Sequence, residues 1–97
     1  LINVANWPER RSTAWKTLIQ ARAIENQVYA IGVNRVGDDG NGIYHSGDTC
    51  LIDPLGEILY RKSHDEDIFT TTLERAKLDE IRKNIPFLRD ADKFQLF

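Results

Sequence analysis

Three side chains could supply a nucleophile and its base: Cys50 is the one thiol of the chain, and His45 and His64 are its only imidazoles. A cysteine needs a neighbouring base or cation to be reactive at neutral pH. Along a regular strand from His45 to Asp53, however, positions 45 and 50 have opposite parity and point to opposite faces. Cys50, between Thr49 and Leu51, then reads as a small, inert core residue. The same parity divides the one donor set that resembles a metal cage, with Asp48 and Cys50 on one face and His45 and Asp53 on the other. The sequence offers neither a metal site nor a cofactor site.

The carboxylates are more numerous and no better placed. Asp65, Glu66 and Asp67 read as a solvated turn, and Asp38 and Asp39 as servants of a glycine-rich loop. The spacing of Gly37, Gly40 and Gly42 invites a nucleotide reading, but no helical pattern follows, so the phosphate cradle is absent. Glu25 stands apart, at what reads as the buried end of a helix, with Arg22 three residues before it and Asn26 beside it on the same face. A paired arginine holds a carboxyl in its charged form, which suits a structural acceptor better than a general base. Taken alone, the residues name no complete active site.

Leu1 to Ala5 is a short apolar strand, ended at Asn6-Trp7-Pro8 because proline cannot donate to a ladder. Ser12 is the expected N-cap of a helix over Thr13 to Gln27 whose apolar stripe is Ala14, Thr17, Leu18, Ala21, Ile24 and Val28, flanked by Trp15, Ile19 and Arg22. Val28 to Val33 is apolar on both faces, as a central strand would be. Arg35 to Gly42 is a loop. Asp48 to Asp53 and Glu57 to Arg61 form a hairpin around the turn at Pro54 and Gly56. Asp67 to Leu73 alternates like a further strand. Arg75 to Asn84 is a short helix that buries Leu78, Ile81 and Ile85, and Pro86 ends it.

The chain has 97 residues, 41% hydrophobic and 29% charged, with a formal net charge of -2. That allows one domain with a thin core. Mixed charge along the whole length speaks against nucleic acid and anionic membrane as partners. No apolar run approaches the ~20 residues of a membrane span, so a soluble, cytoplasmic protein is expected. The sequence holds no methionine and opens on Leu1-Ile2-Asn3-Val4, which reads as strand interior and therefore as a fragment or processed piece.

The ordered set Ala5-Asn6-Trp7-Pro8, Arg22-Ala23-Ile24-Glu25-Asn26-Gln27, Asn34-Arg35-Val36-Gly37, Gly40-Asn41-Gly42, Ser46-Gly47-Asp48-Thr49 and Asp53-Pro54 with Gly56-Glu57 resembles the nitrilase or carbon-nitrogen hydrolase superfamily, in particular its omega-amidase branch. The resemblance implies an α/β fold, the αββα sandwich, and homo-oligomers packed through helices. It also implies hydrolysis of a small linear amide through a thioester on a cysteine, assisted by a glutamate and a lysine. In the family all three precede the segment matched by Leu1. Residues 1–97 are thus expected to be the C-terminal segment of one such domain, inactive alone, and Cys50 is not the nucleophile. Ala5, Asn6 and Trp7 match the pocket wall beside the scissile carbonyl. Arg22, Glu25 and Asn26 match the helix behind the site, and Asn34 and Arg35 end the neighbouring strand, all as structural support. The rival expectation is a non-catalytic oligomerisation or interaction module.

Overall fold

The computed structural model describes residues 1–97. Five strands and two helices follow the order β1 (Ile2–Ala5), α1 (Ser12–Asn26), β2 (Ala30–Asn34), β3 (Val36–Asp38), β4 (Tyr44–Ile52), β5 (Ile58–Ser63) and α2 (Arg75–Asn84), with short 3-10 turns at Glu9–Arg11 and Phe87–Asp90. β1 and β2 run parallel, joined by α1, with Ala5 opposite Asn34. β2 and β3 lie antiparallel to successive stretches of β4, and β5 pairs antiparallel along the other edge of β4. β1 and β5 therefore bound the sheet. β1 has a free backbone edge, and its Ile2 and Val4 are 69% and 76% exposed.

α1 covers one face of this sheet. The buried row is Trp15, Ile19 and Ala23, which meets Ala30, Cys50 and Ile52. This overturns the expected stripe: Ala14, Thr17, Leu18 and Ile24 are exposed, while the supposed flank carries the contact. The reason lies in the partner strand. Gly32 has no side chain, and a Cβ there would sit 2.7 Å from Trp15 Cζ2, so the sheet holds a slot that only an i, i+4 row headed by the indole fills.

Other boundaries moved for local reasons. Ser12 is the first helical residue and makes no side-chain capping bond; Arg11, the last residue of the 3-10 turn, occupies the N-cap position. α1 ends at Gln27, in the left-handed region at φ 46°, where Val28 N–H reaches Ala23 O at 3.1 Å, a Schellman closure. Gln27 is buried and ties α2 to this end: its Nε2 donates to Ile85 O at 2.7 Å, and Arg82 Nε donates to its carbonyl at 2.9 Å. Of the expected face of α2 only Ile81 is buried, and Ile85 is exposed. Asp67 to Leu73 is not a strand. Its alternation is real, but no strand edge of the chain pairs with it; instead Asp67 accepts a hydrogen bond from Tyr60 and Phe69 stacks on Tyr60 at 4.0 Å.

The molecule is a slab 19 Å thick with a Cα radius of gyration of 15.7 Å, larger than the ~13 Å of a compact domain of this length. It holds one helix layer and one sheet layer, half the layers of the expected sandwich.

Candidate functional site

The carboxyl ends of β1 and β2 lie side by side, and the turn after β1 is fixed by the residue that ends β2. Asn34 Oδ1 accepts Trp7 N–H at 2.8 Å, and its Nδ2 donates to Trp7 O and to Gly47 O, both at 2.9 Å. The amide thus uses its acceptor and two donors. Its own backbone is held too, since Asn34 N–H donates to Thr49 Oγ1 at 3.0 Å and Thr49 Oγ1 donates to Asn34 O at 3.2 Å.

The Trp7 ring is fixed separately. Its Nε1 donates to Arg11 O at 2.7 Å, the Arg11 guanidinium lies 5.2 Å from the ring centroid, and the Trp15 ring is 6.0 Å away. Trp15 Nε1 in turn donates to Asp48 O at 2.9 Å. Pro8 is buried behind the turn, whereas Asn6 is exposed and its side chain makes no hydrogen bond within the chain. Trp7, Trp15, Leu18, Ile19 and Arg22 line a groove of about 370 Å³ along the free edge of β1.

Seven of the eight expected site residues fall into two groups. Ala5, Asn6, Trp7 and Asn34 converge at one end of the sheet. Arg22, Glu25 and Asn26 lie in the last turns of α1, with Arg22 about 15 Å along the axis from Ser12 at 1.5 Å per residue. Glu25 is exposed rather than buried, because the covered row of α1 passes through Ala23 and its position faces solvent. Glu25 pairs with Arg22, and Asn26 Nδ2 bonds Arg22 O at 2.9 Å. Of the three, only Arg22 borders the groove. Arg35 is exposed, donates to Asp38 O at 3.1 Å, and opens with Asn34 and Thr49 onto a separate cleft of about 510 Å³.

Cys50 and His45 make no hydrogen bond to each other. Cys50 lies opposite Gly32 and is buried in the cluster with Ile19, Ala23, Ala30 and Ile52, where burial raises its thiol pKa, the reverse of what a nucleophile needs. His45 Nδ1 lies 3.0 Å from Ile43 O. Asp53 Oδ1 accepts the amides of Leu55 and Glu57, and its Oδ2 pairs with Lys77 at 3.3 Å. No three histidine, cysteine or acidic side chains are grouped as an ion would require.

Asp48 does not follow the parity of a regular strand. Gly47 and Asp48 both have positive φ, 82° and 57°, and the register with β5 slips between Gly47 and Thr49. A glycine inside a strand pattern was the available signal of such a bulge. Burial pushes the Asp48 carboxyl up; bonds from Ser63 and Ser46 and the Lys16 ammonium outweigh that, and it sits below the ordinary range. A depressed native-state value stabilises the fold fully above the unfolded pKa of about 4 and loses that contribution as pH falls through the native value. Acid titration followed by circular dichroism is therefore expected to lower the melting temperature below about pH 4, and less so in Asp48→Asn.

A parallel β-α-β unit with its turn clamped at the carboxyl end, followed by an antiparallel hairpin, defines the class: the chain belongs to the carbon-nitrogen hydrolase family, whose profile matches residues 1–83. It is 47% identical over 95 residues to the omega-amidase YafV of Escherichia coli K12, covering 97% of this chain and 37% of that protein. It is 34% identical over 89 residues to the 2-oxoglutaramate amidase of Bacillus subtilis strain 168, covering 92% of this chain and 34% of that one. The chain spans little more than a third of the length of these curated relatives. Among solved structures it superposes on XC1258 of Xanthomonas campestris, a CN-hydrolase superfamily protein with an arsenic adduct in its active site. That match has a TM-score of 0.92 and 44% identity over 99% of this chain and 37% of that one. Nit3 of Saccharomyces cerevisiae, at 20% identity and a TM-score of 0.76 over 88% of this chain and 32% of that one, shares the fold. The α/β fold is that of the nitrilase superfamily. No helix is long and apolar enough to cross a membrane.

Proposed function

We propose that this chain is the C-terminal segment of an omega-amidase-like enzyme, which hydrolyses a small linear monoamide of a dicarboxylate to acid and ammonia. The thiolate of an upstream cysteine attacks the amide carbon, the C–N bond breaks as ammonia leaves with a proton from an acid, and water then cleaves the thioester. The segment contributes no reacting group. In this reading Ala5, Asn6 and Trp7 wall the amide pocket of the whole enzyme, Trp7 alone of the three also lining the groove of this chain, with Asn34 holding the turn and Arg35 continuing that strand end. Arg22 closes the far end of the groove, steadied by Glu25 and Asn26. The observation that carries this reading is the double clamp of Asn34 on both backbone groups of Trp7 beside an open sheet edge: a rigid wall without a nucleophile. The 47% identity to YafV supports the substrate class.

Association into homo-oligomers belongs to the same proposal, supported by the exposed Ile2, Val4, Phe94, Leu96 and Phe97. The test of function uses the chain extended upstream, assayed for ammonia release from four- and five-carbon dicarboxylate monoamides, from neutral amides and from nitriles. Preference for the monoamides is the expected result, and equal or better turnover of neutral amides or nitriles would overturn the substrate class.

A further inference from the structure

Asp48 is the one buried carboxylate whose partners come from three elements. It is 3% exposed. Ser46 Oγ donates to Oδ2 at 2.7 Å, Ser63 Oγ from the end of β5 donates to Oδ1 at 2.5 Å, and Lys16 Nζ of α1 lies 3.5 Å from Oδ1. Its backbone is in the left-handed region, which an aspartate enters only singly and with local bonds to hold it. What the kink achieves is visible in the two carbonyls it sets. Gly47 O accepts from Asn34 Nδ2, and Asp48 O accepts from Trp15 Nε1. Asn34 holds the backbone of Trp7, and Trp15 packs against its ring. The two supports that reach the Trp7 turn from elsewhere in the fold, Asn34 and Trp15, therefore end on the same two-residue bulge, while Arg11 holds the ring locally.

We propose that Asp48 is a positioning residue of the amidase site: its carboxylate, clamped by Ser46, Ser63 and Lys16, holds the Gly47-Asp48 bulge and through it the Trp7 turn. The catalytic half of this statement rests on the function proposed above; the structural half does not. No hydrogen bond or ion pair joins Asp48 or its three partners to the Trp7 turn, so the effect passes through Asn34 and Trp15.

The test is Asp48→Asn in the 97-residue chain. Asparagine is isosteric and enters the left-handed region at least as readily, so the substitution removes the charge and one acceptor while sparing the backbone. Hydrogen exchange is read by NMR at the Trp7 amide, bonded to Asn34, and at the Asp53 amide, bonded to Glu57 O at 2.9 Å. Trp7 is expected to exchange at least about tenfold faster with Asp53 unchanged. Unchanged exchange at Trp7, or equal acceleration at both amides, overturns the proposal, the latter by reducing Asp48 to general stability. Should Asp48→Asn fail to fold, Ser63→Ala removes one bond and is read the same way, with a smaller selective acceleration expected. In the upstream-extended protein Asp48→Asn is expected to lower kcat/KM by about tenfold, the scale of a small misplacement of a positioning group. Unaltered kcat/KM would remove Asp48 from the site. Absence of amide hydrolysis in the unsubstituted extended protein would sink the functional reading and leave the exchange result standing.

Discussion

Trp15→Ala is expected to leave the chain largely unfolded at 25 °C. Trp15 is 3% exposed and fills the slot over Gly32, so its removal opens a cavity under the first turn of α1. Large aromatic truncations in cores cost about 3–5 kcal/mol. The carbonyl of Asp48 loses its indole donor as well, a further ~1–3 kcal/mol if it stays dry. Small domains have about 5–15 kcal/mol in total, and a two-layer slab with an open edge belongs at the bottom of that range. Urea unfolding followed by far-ultraviolet circular dichroism checks the result. Trp15→Phe separates the two contributions, since it keeps most of the packing and loses only the bond to Asp48 O. Gly32→Ala gives the complementary insult, because its Cβ would press 2.7 Å from the indole. A Trp15→Ala chain as stable as the parent would show that α1 does not hold the sheet through this row.

Asn34→Ala is expected to have the second largest effect, and to act on the Trp7 turn. It deletes three hydrogen bonds of 2.8 to 2.9 Å and leaves the part-buried Trp7 N–H without its acceptor. At about 0.5–1.5 kcal/mol net per bond the loss is roughly 2–4 kcal/mol. Asn34→Asp is the sharper variant. It retains the acceptor for Trp7 N–H but sets a carboxylate oxygen against the carbonyls of Trp7 and Gly47, where two donors are required. Above about pH 5 it is expected to be at least as damaging as alanine, and near pH 4, as the carboxyl protonates and regains one donor, less so. Chemical denaturation at the two pH values, with Trp7 fluorescence as the probe, reads the difference. Equal stability of Asn34→Asp and the parent would mean that the amide donors do not hold the turn.

Much of the fold could be read from residue order. Pro8 fixed the end of β1, the 3.6-residue period located α1, and Pro54 with Gly56 placed the hairpin turn, because each of these is a local property. The face of α1 could not be read this way. Counting apolar residues favoured a stripe through Leu18 and Ile24, but the decisive feature is a missing side chain on another strand, Gly32, which the periodicity of α1 does not contain. Asp67 to Leu73 failed for the complementary reason: alternation marks a segment able to form a strand, and a ladder needs a second edge.

The candidate site divides in the same manner. Asn6-Trp7-Pro8 and Asn34 stood out as strand ends, and parallel pairing of Ala5 with Asn34 brings them together. Glu25 reads from its place as the buried end of a helix, but the covered row of α1 runs through Ala23 and leaves position 25 to solvent. Asp48 was passed over because parity along a strand presumes a regular strand, and the bulge at Gly47 and Asp48 redirects the backbone carbonyls there. The residues that tie this site together act through those carbonyls, to which sequence patterns are blind.

On the function proposed above, residues 1–97 form a wall of the amidase site and supply none of its reacting groups. Ammonia release from dicarboxylate monoamides, measured with the purified 97-residue chain and with its Cys50→Ala variant, tests it most directly. Neither protein is expected to release ammonia above the buffer rate. Release by the chain that disappears in Cys50→Ala would contradict it and make the buried thiol the nucleophile.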